Sequence, residues 1–144
     1  MKRRVGTVNA LHQQSTSVQI KFARTDLLRI QVPHEDPLVV SLTMAECLVR
    51  RVLIDPGSSA NVMPRITKQV EPIGMVELPV QAAEKTLTES FVVVEIHPSY
   101  NLLMRRRWIH KVQGVPSTLH QVMRCLSPDG SKVIDIHGDQ VAAK

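Results

Sequence analysis

An acidic residue follows directly on a short apolar run near the middle of the chain. The run Val52-Leu53-Ile54 leads into Asp55, and Gly57 and Ser58 follow after one intervening residue. A carboxylate just past a buried strand is held in place, and Gly57 permits a tight turn that leaves amide groups near its oxygens. That geometry can orient an acid for catalysis. The alternative is an ordinary Asx turn, in which Asp55 only bonds its own backbone.

Cysteine and histidine give no second candidate site. Cys47 and Cys125 are the only cysteines, and neither belongs to a CxxC pair, so the chain is not a disulfide scaffold. The six histidines are scattered, without an HxxxH or a His-Cys spacing that would suit a metal. We therefore predict no metal site and no cofactor.

The positive charge of the chain is concentrated in two clusters. The formal net charge is +5, and much of it lies in Lys2-Arg3-Arg4 and Arg105-Arg106-Arg107. A single-strand nucleic-acid module would need aromatic residues between the cations for base stacking, and only Trp108 adjoins a cluster. We therefore interpret the clusters as solvated surface. Nucleic-acid binding would require the cations on one face with Trp108 exposed.

The apolar pattern predicts a mainly β fold. Aromatic residues make up only 3% of the chain, so the core must rest on Val, Leu, Ile and Met. Two hairpins are expected, one pairing 38–44 with 47–54 and the other pairing 74–81 with 88–96. A short helix is expected from Leu102 to His110.

The composition also suggests an organisation along the chain. We expect a loose basic tail over 1–18, an extended connector over 19–37, one folded domain over 38–126 and a C-terminal extension over 127–144. No apolar stretch approaches the roughly 18 residues needed to cross a bilayer, and the amino terminus lacks the apolar run of a secretory signal. The expected product is soluble, intracellular and cytoplasmic, with no membrane partner.

Several blocks of the sequence resemble the protease region of plant gypsy-type LTR retrotransposon polyproteins, which carry D-x-G-S-S-A after the same paired strands. The match covers roughly residues 18 to 142, in the family's order. Its blocks are Leu38-Val39-Val40 through Asn61-Val62-Met63, His97-Pro98-Ser99-Tyr100-Asn101-Leu102-Leu103, Trp108-Ile109-His110, Val115-Pro116-Ser117-Thr118-Leu119-His120-Gln121 and Gly138-Asp139-Gln140.

The resemblance implies a retropepsin-like aspartic protease: a closed β-barrel with one short helix, over 38–126. Each subunit of a homodimer would supply one Asp55, and the pair would activate a water that attacks a peptide carbonyl of the polyprotein. Two carboxylates about 3 Å apart cannot both be charged cheaply, so one would hold a proton and the other would act as base. Gly57 would provide the turn, and Ser58 would bond the outer carboxylate oxygen.

Two departures from the family pattern bear on catalysis. Retropepsins close over substrate with a Gly-tipped hairpin, the flap, but the interval from 62 to 73 contains no glycine and is short, so the flap is expected to be truncated. Arg105 stands where relatives carry a glycine, and Arg107 stands where proline is usual. A buried Arg105 would cost several kcal/mol unless it is paired or reaches solvent. The alternative function is therefore a non-catalytic retroelement relic or dimerisation module.

Overall fold

Nine strands and one short α-helix make up most of the described chain. The computed structural model describes residues 18–57, 61–65, 72–95 and 99–144. A 3-10 helix at Arg24–Arg29 comes first and α1, Arg106–Lys111, comes late. The strands are β1 Val39–Met44, β2 Cys47–Asp55, β3 Asn61–Arg65, β4 Pro72–Ala82, β5 Lys85–Glu95, β6 Leu102–Arg105, β7 Gly114–Ser117, β8 Val122–Leu126 and β9 Val133–His137.

Both predicted hairpins are confirmed. β1 and β2 pair antiparallel around Ala45 and Glu46, and β4 and β5 pair antiparallel around Ala83 and Glu84. All four turn residues have positive φ, between 47° and 65°. Positive φ at both central positions characterises the type I′ turn, whose twist matches that of the flanking strands.

The strand that carries Asp55, β2, is central in the sheet. β2 pairs antiparallel with β1 on one side and parallel with β6 on the other. Val52 and Ile54 point into the core, where they pack with residues such as Phe91 and Trp108. Burying each large aliphatic side chain contributes about 1.5–3 kcal/mol. The carboxyl end of β2 is therefore held by packing on both flanks.

The six strands β1 to β6 are arranged in the order β1-β2-β6-β3-β5-β4, and the two outer strands touch at one end. β1 and β4 pair only at Thr43 with Gln81 and at Met44 with Val80. The mainly β fold is confirmed. The closed barrel is not confirmed, because the contact between the outer strands covers these two residue pairs alone.

The predicted helix from Leu102 to His110 is wrong over its first part. Leu102–Arg105 forms β6, and the helix begins at Arg106. β6 lies between β2 and β3, whose backbones offer hydrogen-bond partners along both of its edges. Such tertiary pairing outweighs local helix propensity.

The rest of the chain packs against this sheet. β7, β8 and β9 form a separate antiparallel sheet, in which β9, from the range 127–144, pairs with β8 over five residues. A 3-10 helix forms within the range 19–37, where an extended connector was expected. Its first turn is stabilised by the Asp26 carboxylate, which accepts the Ala23 N–H at 2.7 Å. The domain boundaries themselves stay predictions. Neither helix of the described ranges has the length and apolar composition to cross a membrane.

Candidate active site

Asp55 ends β2 with its carboxylate turned back onto the following residues. Its Oδ1 accepts the backbone N–H of Gly57 at 2.8 Å, and its side chain is 35% exposed. A Cβ on Gly57 would lie 3.0 Å from Asp55 Oδ1, so a side chain at this position would crowd the carboxylate. This bond is an Asx turn, and it also fixes the direction of Oδ2. Ser58, expected to bond the outer oxygen, lies outside the described residues.

The second carboxylate oxygen faces a cation of the same chain. Arg105 Nη1 lies 3.4 Å from Asp55 Oδ2, and the Arg105 side chain is only 20% exposed. The two residues are partners in the parallel pairing of β2 with β6, so the strand register itself places them side by side. Arg105 Nε is buried and has no hydrogen-bond partner in the part of the chain that the structure describes. The guanidinium is paired, but incompletely.

A buried polar network lies next to the Asp55–Arg105 pair. Asn61 Oδ1 accepts the Arg105 backbone N–H at 2.8 Å, and Asn61 Nδ2 lies 3.5 Å from Glu89 Oε2. Glu89 Oε1 is bound by Lys111 Nζ of α1 at 2.7 Å. Asn61 and Glu89 are 4% and 3% exposed. The network joins β3, β5, β6 and α1 around the residue that contacts Asp55.

Sequence reasoning missed Asn61 and Glu89. For Glu89 a signal exists, because it lies between Leu87 and Phe91 on the inward-facing side of an alternating strand. A carboxylate at an inward position needs a partner, and burial without one is costly. For Asn61 the sequence offers only its place directly after the Asp55 motif.

The hairpin between the Asp55 turn and the last strands does not serve as a flap. The turn of the β4–β5 hairpin lies beside Met44, because Met44 pairs with Val80 at the end of β4. Met44 also pairs with Cys47, the first residue of β2, whereas Asp55 is its last. The β4–β5 turn is therefore at the opposite end of β2 from Asp55. The chain between β3 and β4, residues 66–71, lies outside the described residues.

The V-P-S-T-L-H-Q block has a structural role. Gln121 is fully buried, and its Nε2 donates to the carbonyl oxygens of Thr118 at 2.8 Å and Asp36 at 3.0 Å. Its own carbonyl accepts the Gly138 N–H at 2.7 Å. The block thus ties the segment before β1 to the turn between β7 and β8, and to the chain after β9.

A second polar cluster holds the 3-10 helix against the β7–β9 sheet. Arg124 of β8 binds both Asp26 and Asp135, at 2.6 Å and 3.0 Å, and lies over the Phe22 ring. The hydrogen bond from Arg124, followed by that from the Ala23 N–H, lowers the pKa of Asp26 to about 2. A cavity of about 390 Å³ lies beside this cluster and is lined in part by His120.

Other site chemistries find little support in the described ranges. No group of three His, Cys, Asp or Glu side chains is arranged there to hold a metal ion. Trp108 is fully buried, so it lacks the exposure that the nucleic-acid hypothesis required. Burial raises the pKa of the Cys125 thiol to about 11, which keeps that sulfur protonated and unreactive at neutral pH.

Comparison with solved structures identifies the fold. No family model and no curated protein matches the chain. The retroviral protease-like domain of Ddi1 from Leishmania major superposes with a TM-score of 0.57 at 16% identity, covering 74% of this chain and 96% of that one. This is a retropepsin-like fold. EIAV protease, solved with the inhibitor HBY-793, gives a TM-score of 0.43 at 13% identity, covering 57% and 93% of the two chains.

Proposed function

We propose that this chain is an aspartic endopeptidase domain of the retropepsin type, derived from a plant gypsy-type retrotransposon polyprotein and acting on that polyprotein in the cytoplasm. One observation carries the proposal. In a retropepsin-like fold, Asp55 ends the central strand β2 with one carboxylate oxygen held by the Gly57 N–H. The other oxygen, Oδ2, takes no part in this turn, and its charged neighbour is Arg105 Nη1 at 3.4 Å.

The proposed chemistry needs two copies of the chain, since the motif occurs once. In a two-fold dimer that closes the β sheets around one cleft, the two Asp55 carboxyls would share a proton. One carboxylate would take a proton from water while the other, protonated, would donate to the substrate carbonyl oxygen. Gly57 and Ser58 would keep the acids oriented.

A second candidate is a non-catalytic relic or dimerisation module. Its support is the Arg105 guanidinium 3.4 Å from Asp55 Oδ2. The shared-proton mechanism needs a second carboxyl beside Asp55, whereas a guanidinium of the same chain lies there.

One assay separates the two candidates. Purified protein is incubated with a peptide library tiled across the polyprotein, with and without a transition-state inhibitor of aspartic proteases. Cleavage that the inhibitor blocks and that Asp55→Asn abolishes supports the endopeptidase. Absence of cleavage by the full chain at acidic and neutral pH supports the module.

A further inference from the structure

The guanidinium of Arg105 has unused hydrogen-bonding capacity. An arginine side chain carries five N–H donors. Within the described ranges its ion pair is with Asp55, whose Oδ2 lies 3.4 Å from Nη1, which is longer than a normal N–H···O hydrogen bond. Nε is buried without a partner. Because most of this side chain is shielded from water, Arg105 would gain from a second carboxylate.

The Asp55 carboxylate likewise has an oxygen with unused hydrogen-bonding capacity. Oδ1 accepts the Gly57 N–H, whereas the ion pair of Oδ2 in the described ranges is the long one to Arg105. About a third of the Asp55 side chain is open to solvent. An under-bonded anion and an under-bonded cation therefore lie side by side at one accessible corner. Such a corner is complementary to a copy of itself turned by a two-fold axis.

We propose that Arg105 is an intersubunit carboxylate-binding residue: in a dimer of this chain, each Arg105 binds Asp55 of the partner subunit. The inference rests on the two-fold association proposed above. It specifies the contact that would hold the dimer in the second candidate function, the dimerisation module. The two Asp55–Arg105 pairs would form one cluster of two carboxylates and two guanidiniums with no net charge. Each guanidinium would bridge the two carboxylates, which gives its free donors an acceptor.

The cluster replaces the proton that a pair of carboxylates would otherwise share. Two guanidiniums beside the two carboxylates balance their negative charge. In the second candidate, the dimerisation module, this contact supports association of the two subunits. Asn61 holds the Arg105 backbone at 2.8 Å, so the cation is presented from a fixed position.

Charge-reversed chains test the proposal directly. Asp55→Arg leaves two cations at the corner, and Arg105→Asp leaves two anions, so each variant should repel its own copy and sediment as a monomer. Mixed in equal amounts, the two variants should form a one-to-one heterodimer, because cations of one chain then face anions of the other. Sedimentation velocity and native mass spectrometry, with a mass tag on one variant, measure this.

Matched controls use an exposed ion pair of the same chain. Glu84 and Lys132 lie 2.8 Å apart on the surface, so Glu84→Arg and Lys132→Asp make the same changes in net charge. Each control should dimerise alone as the parent does. The parent dimer should also weaken by about tenfold or more between low salt and 1 M salt, where the screening length falls to about 3 Å.

Three outcomes overturn the inference: a parent that stays monomeric at high concentration, a mixture that stays monomeric although the parent dimerises, or a parent dimer unaffected by either reversal. If a reversed chain does not fold, by circular dichroism, Asp55→Asn and Arg105→Gln replace it. Each should weaken the dimer about tenfold or more, and dimers of parental strength would reject the proposal. Peptide cleavage is scored separately, so an inactive chain with a salt-sensitive dimer refutes the endopeptidase alone.

Discussion

The side-chain oxygen of Asn61 accepts the backbone N–H of Arg105 at 2.8 Å, across a separation of 44 residues. The same side chain reaches toward the buried Glu89 carboxylate, which Lys111 neutralises. One asparagine thus links the start of β3 to the residue where β6 meets α1. The stability of the structure around the Asp55–Arg105 pair should therefore depend on Asn61.

Asn61→Ala should lower the free energy of unfolding by about 1–3 kcal/mol, because it leaves the Arg105 N–H and the Glu89 carboxylate short of partners. Asn61→Asp should cost more, since it places a second buried carboxylate beside Glu89. Urea denaturation measures both. Ser90→Ala, exposed on the same strand as Glu89, should change stability by less than about 0.5 kcal/mol. An Asn61→Ala midpoint equal to that of the parent would refute a structural role for the network.

The parent should hydrolyse polyprotein peptides far more slowly than a repaired chain. Two repairs are combined: Arg105→Gly, and insertion of a Gly-tipped hairpin between Arg65 and Pro72. The hairpin alone leaves the cation beside Asp55, and Arg105→Gly alone leaves the substrate poorly positioned. The double repair should gain about a hundredfold or more in kcat/KM, with an acid optimum.

That comparison is a four-way assay of the parent, each single repair and the double repair, all measured by peptide cleavage. Asp55→Asn in the double repair is the control and should be inactive. Full activity in the unrepaired parent, lost on Asp55→Asn, would mean that Arg105 and the short interval do not impair catalysis.

Gly138→Ala should destabilise the chain by about 1–3 kcal/mol through overpacking. A Cβ there would lie 2.8 Å from Leu38 Cδ1, 2.9 Å from Gln121 Oε1 and 3.0 Å from the Gln121 carbonyl oxygen. Gln121 is fully buried and held by several bonds, so it cannot move aside. Gly74→Ala is the matched control, because nothing lies within 4 Å of its Cβ position. Thermal melts in which both variants match would contradict the close packing.

Asp26→Asn should lower the melting temperature at neutral pH by weakening the bond to Arg124. The pKa of Asp26 falls from 3.8 to about 2 in the folded chain. A lowered folded-state pKa stabilises the fold above the unfolded value, and that stabilisation is lost as the pH falls. The difference between parent and variant should therefore shrink between about pH 4 and pH 2.

Melting curves at pH 7, 4 and 2 measure this difference. Glu46→Gln, exposed in the β1–β2 turn, controls for the loss of one surface carboxylate. A difference between parent and Asp26→Asn that stays constant down to pH 2 would show that the Asp26–Arg124 contact does not stabilise the fold.

The sequence by itself determined the two hairpins and the strand that ends at Asp55. Alternating apolar residues decide which face of a strand is buried, and two-residue links leave antiparallel pairing as the available connection. The Asp55–Gly57 turn is equally local, because its bond spans two residues. Such features follow from neighbours in the chain.

Only the tertiary structure decided what surrounds Asp55. β6 is a strand, not the start of a helix, because β2 and β3 flank it, and this pairing puts Arg105 beside Asp55. The contacts from Asn61 to Arg105 and from Glu89 to Lys111 join residues 44 and 22 positions apart. Their register depends on how the whole sheet packs. The sequence shows that an arginine follows Met104, but its distance from the Asp55 carboxylate is set by the fold.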